Sequence, residues 1–165
     1  MYRRPLMRDG TRPPETVEGQ GFRLRVLRLT DAEKDYAAVM DAADRLRAAA
    51  PPGELDGWPE GLTLHDNRID LGWHEKEFEC GHSFAWTVVA PDDGVVLGCA
   101  YLYPSHRAGY DAMAFWWVRA LAAEMDRPVG ATFRAMLAQL PLPRIAFPGR
   151  DIDWPEWQAL PDAFG

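Results

Sequence analysis

Asp70, His74 and Glu77 stand four and three residues apart, so on a helix they share one face. An imidazole between two carboxylates can hold a divalent cation or relay a proton. The run HEKEF at 74–78 lacks the second histidine of the HExxH zinc pattern, and the plainer reading of such a face is a solvated one. Facing inward across Trp73, His74 becomes a candidate acid or base for an amine. Cys80-Gly-His82 and His106 add donors, but structural zinc takes four ligands in paired clusters, so no metal site is expected. Trp116-Trp117-Val118-Arg119 is the other notable run. Successive strand residues point to opposite faces; Trp117 reads as core, and Trp116 as core or as an aromatic wall for a slender ligand. The chain has no GxSxG elbow, Walker loop, Rossmann glycine set or catalytic Cys/His signature.

The elements that must position these residues follow from periodicity and punctuation. FRLRVLRL (22–29) alternates as a strand with one buried face. Thr30 and Glu33 then suggest a capping box opening a helix over about 31–49, stopped by Pro51-Pro52-Gly53. After a Pro/Gly loop at 51–61 containing Trp58, a second helix is expected over about 62–80. Ile69, Trp73 and Cys80 form its apolar line, flanked by Leu71 and Phe78, and Asp66, Asp70, His74 and Glu77 its polar face. Gly81 is its expected stop. Strands at 83–90 and 95–103 flank the hairpin signal Pro91-Asp92-Asp93-Gly94. A third strand-like run occupies 111–119. A helix over about 121–139 follows, its start interrupted by Pro128 and Gly130, so that a start only near Pro128 is also expected. A short strand lies in 143–150, and a last helix opens at Asp153. The order β-α-α-β-β-β-α-β plus a short helix predicts an α/β domain with a mixed sheet of about five strands.

Composition sets the limits. A chain of 165 residues, 47% hydrophobic and with seven Trp, suits one domain with a sizeable core, here 21–165. Residues 1–20 hold three Pro, two Gly and no apolar period and read as a flexible arm. No run of about 18 uncharged apolar residues exists, so no membrane span is expected. Two isolated cysteines suit a reducing cytoplasm. The formal net charge is −7, with the positive excess confined to residues 1–30. An acidic body repels phosphate backbones, so nucleic acid is not an expected partner, and a cationic small molecule is a better match.

The order of elements, with FRLRVLRLTDAEKDYAAVM at its head and WTVVAPDDGVVLGCAYLYP at its centre, resembles the GNAT superfamily of N-acetyltransferases over about residues 22–150. DAMAFWWVR takes the place of that fold's fourth strand and RIAFPGR that of its fifth. The resemblance implies acetyl-CoA as cofactor and a small amine as substrate. It implies Trp116, Trp117, Val118, Arg119 and Arg127 as cofactor-side residues. Asp111, Tyr110, Glu77 and His74 become candidates for proton transfer and the amine. The family's Q/R-x-x-G-x-G/A loop, which holds diphosphate on backbone N–H groups, is departed from. Aligned on Arg119, this chain offers Arg-Ala-Leu-Ala-Ala-Glu, with Ala122 and Glu124 at the glycine positions. Two expectations therefore stand together: an acyl-CoA-dependent N-acetyltransferase, or a non-catalytic GNAT-fold binding domain that uses an exposed strand-four Trp for a ligand or a homodimer.

Overall fold

The computed structural model describes residues 4–51, 54, 55 and 57–163. Among them six strands form one sheet in chain order: β1 Thr16–Glu18, β2 Arg23–Val26, β3 Phe84–Val89, β4 Val96–Pro104, β5 Ala112–Val118 and β6 Ile145–Ala146. Neighbours are antiparallel except β5 and β6, which run parallel. The helices are α1 Ala32–Ala49, α2 Leu64–Cys80, α3 Asp126–Leu137 and α4 Trp154–Ala159.

Alternation along the strands divides the side chains between two layers. Cys99, Tyr101 and Trp117 join Val39, Leu46 and Leu71 of α1 and α2 on one face. Ala100, Leu102 and Trp116 join Val129, Phe133 and Leu137 of α3 on the other. Because both faces are covered, β3 is buried at every position, which explains why its sequence is apolar at all but Thr87. Each large side chain buried this way contributes roughly 1.5–3 kcal/mol of transfer free energy.

Local chemistry fixes the helix ends. The Thr63 hydroxyl accepts from Asp66 N–H at 3.1 Å and the Asp66 carboxylate accepts from Thr63 N–H at 3.2 Å, a reciprocal box that starts α2. Gly81 ends it at φ 73°, the left-handed conformation that glycine adopts without strain. Asp153 accepts from Glu156 N–H at 2.8 Å and opens α4.

Three expectations are corrected. Thr30 does not cap α1. A 3-10 turn at Leu29–Asp31 precedes that helix, and buried Asp31 accepts from Arg28 N–H at 2.9 Å and from both terminal nitrogens of Arg25. The α2 face expected to be polar is divided: Asp66 and Asp70 are exposed, but His74 and Glu77 are buried with Asn67, Leu71 and Phe78, while Ile69 of the expected apolar line is 61% and Trp73 36% exposed. Burial of the polar residues is offset by partners, as where Asn67 Nδ2 donates to Asp35 at 2.9 Å and to the Ala32 carbonyl at 3.1 Å. The described part of the arm, 4–20, lies on the body. Met7 is buried, β1 pairs with β2, and Arg12 donates to the Phe78 and Glu79 carbonyls at the α2 C-terminus while its guanidinium covers Phe78 and Phe84. A 3-10 segment, Ala120–Met125, leads into α3, which begins at Asp126, close to the later start that Pro128 suggests.

Candidate functional site

Strands β5 and β6 share only two residue pairs, Ala112 with Ile145 and Met113 with Ala146. Beyond them the chain turns away through Phe147-Pro148-Gly149-Arg150, where Gly149 takes φ 78° and the N–H groups of Arg150 and Asp151 both return to the Phe147 carbonyl. Among the described residues, the β5 edge from Ala114 to Val118 has no strand neighbour on that side. A slot of about 260 Å³ results, lined by Phe115 to Val118, Pro148 to Arg150, Asp126 and the α1 residues Arg45 and Ala49. Arg150 reaches into it. Its Nη2 donates to the Trp116 carbonyl at 3.2 Å, its guanidinium lies 3.4 Å from the Trp116 ring centroid, and it pairs with Asp126 at 2.9 Å. Trp116 itself packs on Phe133 and Phe147 and donates from Nε1 to the Asp126 carbonyl.

At the end of β5 the chain makes a polar corner with α1. Arg119 Nε donates to the Asp41 carboxylate at 2.9 Å, and Leu121 N–H donates to the same oxygen at 3.2 Å. Arg119 Nη1 donates to the Val96 carbonyl. Those donors, the Arg119 guanidinium first, hold the Asp41 carboxyl below its ordinary pKa. Gly130 lies inside α3, where a Cβ would come within 2.3 Å of the Trp116 ring; it lets helix and indole approach and turns no loop.

Behind the slot, on the α1/α2 face, lies an aromatic row. Tyr101 stacks between Tyr103 at 5.8 Å and Phe115 at 6.4 Å, with interplanar angles of 9° and 18°. His74 sits 5.4 Å from Tyr101, its Nε2 3.5 Å from an Asp70 oxygen. Trp117 Nε1 donates to the Tyr101 hydroxyl at 3.2 Å. Beneath, Cys99 Sγ donates to buried Asp35 at 3.2 Å. Burial pushes the Asp35 carboxyl, the Cys99 thiol and both tyrosine hydroxyls upward, so thiol and phenols stay protonated.

No family model matches the sequence, and no curated protein does. Solved structures do. Mycobacterium smegmatis RimJ in complex with CoA-disulfide aligns with a TM-score of 0.61 at 16% identity, over 78% of this chain and 65% of that one. The ribosomal-protein-S5-alanine acetyltransferase from Vibrio fischeri aligns with a TM-score of 0.56 at 16% identity, over 74% and 67%. The ribosomal L7/L12 α-N-protein acetyltransferase RimL gives a TM-score of 0.55 at 11% identity, over 75% and 63%. The fold is that of the GNAT acetyltransferases. At these identities the likeness is one of fold, and the alignments span about two thirds of each neighbour's length.

In GNAT terms β5 and β6 are the fourth and fifth strands, and the gap between them is a splayed V. Its unpaired backbone edge and narrow aromatic lining fit the amide-bearing arm of coenzyme A. The corner does not fit the diphosphate. Asp41 already engages the Arg119 guanidinium and the Leu121 N–H, Asp126 engages Arg150, and glycine is absent from 119–125. A diphosphate there would meet two carboxylates.

The sequence-derived cofactor residues are thus placed unevenly. Trp116, Trp117 and Val118 line the slot, Arg119 is held by Asp41, and Arg127 is exposed on α3. Both indoles are 4% exposed, so neither offers the open Trp surface expected for a ligand or a second copy. Of the candidates for proton transfer, His74 faces the aromatic row. Asp111 and Tyr110 line a separate cleft of about 1270 Å³ with Tyr103 and His82. Asp111 accepts from Arg144 N–H and Nη2, both at 3.0 Å, and Arg144 holds its carboxyl below the ordinary range. Tyr110 packs edge-on against Trp157. Glu77 is buried beside Lys76 and 3.5 Å from His82. Among the described residues no three His, Cys, Asp or Glu side chains gather as a metal set, and no helix is long and apolar enough to cross a membrane. Sequence reasoning missed Asp41, Arg150 and Asp35, whose partners lie far along the chain.

Proposed function

We propose that this chain is an N-acyltransferase of the GNAT type that modifies a small amine, with the acyl donor's arm seated between β5 and β6. The observation that carries the reading is the β5 edge from Ala114 to Val118, unpaired by β6 and opening on the slot. An acyl thioester supplies an electrophilic carbonyl; attack by the neutral amine forms the amide, breaks the C–S bond and releases a thiol, while the amine's proton passes to a base. The chain's own residues serve this as follows. The Trp116 carbonyl, now accepting from Arg150, is the strand-edge acceptor for a donor amide. Phe115 gives the slot an aromatic surface that suits a cationic amine before it loses its proton, with Tyr101 and Trp117 packed behind it. His74, stacked on Tyr101 and close to Asp70, is the base. Asp111 is less suited to that role because Arg144, bound to both its oxygens, lowers its pKa and makes it a weaker base.

A second reading, a GNAT-fold binding domain without catalysis, is favoured by the Asp41 corner, where a carboxylate already takes Arg119 Nε and the Leu121 N–H. Titration calorimetry with acetyl-CoA, followed by thiol release with a panel of diamines and arylamines, separates the two. Saturable binding with amine-dependent thiol release supports the transferase. Absence of both at millimolar donor leaves the binding domain.

A further inference from the structure

We infer that the acyl donor is recognised through its pantetheine arm alone, so that acyl thioesters lacking a nucleotide serve as well as acyl-CoA. This rests on the transferase reading and adds donor specificity to it. The slot beside β5 can hold an extended amide-bearing arm, since its edge acceptor, the Trp116 carbonyl, is met by a side chain, Arg150 Nη2 at 3.2 Å, rather than by a strand among the described residues. At the end of β5, where the fold's diphosphate loop would offer donors, Arg119 Nε, the Leu121 N–H and Arg150 are engaged by carboxylates of the chain itself. One Asp41 oxygen takes Arg119 Nε at 2.9 Å and Leu121 N–H at 3.2 Å. The neighbouring guanidinium of Arg150 is matched by both Asp126 oxygens at 2.9 Å. Exposed Glu124 adds negative charge on the same segment. To bind there, a diphosphate would have to displace a tethered carboxylate that is already hydrogen-bonded, and so gains little over water.

The test compares S-acetyl-pantetheine with acetyl-CoA on the full chain, with thiol release at saturating amine and calorimetric Kd as readouts. The expected result is kcat/KM and Kd values equal within about threefold, with ADP at millimolar concentration failing to compete. Acetyl-CoA favoured by a hundredfold or more, or competition by ADP, would overturn the inference and leave the transferase intact. If neither donor binds nor turns over, the transferase reading falls and the inference with it. Arg119→Ala provides a second arm: it should leave the ratio between donors unchanged, whereas a loss confined to acetyl-CoA would show the corner holding the nucleotide.

Discussion

His74 is buried on the face that was expected to be polar, one ring away from the slot residues Phe115 and Trp117. If it is the base, His74→Gln should lower kcat by about 10²- to 10⁴-fold and leave donor Kd unchanged, read by steady-state kinetics beside calorimetry. An equal fall in donor affinity would mean that the ring only supports the wall. Asp35 gives a prediction on stability. Its native pKa is raised, chiefly by burial, so above the unfolded value of about 3.9 the folded state holds the proton more firmly than the unfolded one. Stability from this site therefore falls as pH rises from about 4 toward the native pKa. Urea midpoints should show Asp35→Asn gaining on the parent over that window, whatever constant cost the lost acceptor imposes. A pH-independent difference would contradict the raised pKa.

At the scale of elements, two contacts fix the frame around the slot. Gly130 lets α3 close on Trp116, and Gly130→Ala would overpack that contact by a methyl group. A loss of about 1–3 kcal/mol in urea unfolding is expected. Arg12 ties the N-terminal segment to the α2 carbonyls and to Phe78 and Phe84; Arg12→Ala should cost about 1–3 kcal/mol and speed proteolysis near residues 4–15. The same contacts mark where sequence reasoning reached its limit. β3, β4 and β5 were legible because continuous apolar runs bounded by a Pro-Asp-Asp-Gly turn have few other readings. The burial of α2 was not, because Asn67 and His74 look solvated until Asp35 and Tyr101 are placed against them. β1 has three residues and no fully buried side chain, so no period announces it. The missing glycines at 119–125 were visible in the sequence, but not the carboxylate in their place, which comes from 78 residues away.

For the whole molecule, the sheet delivers one open edge, one aromatic wall and one closed anion corner to neighbouring positions. The formal net charge of −7 and the aromatic row suit an amine more than an anionic acceptor. Thiol release should accordingly be faster with diamines than with amino acids of similar size, and the preference should shrink with added salt. The central claim is that the V between β5 and β6 seats an acyl donor. Titration calorimetry of the full chain with acetyl-CoA tests it most directly. Saturable one-to-one binding by millimolar concentration is predicted, weakened at least tenfold when the slot is filled by Ala49→Trp, at an exposed α1 position on its lining, in a variant that keeps its thermal midpoint. No heat of binding at millimolar acetyl-CoA, or binding indifferent to a filled slot, would contradict it.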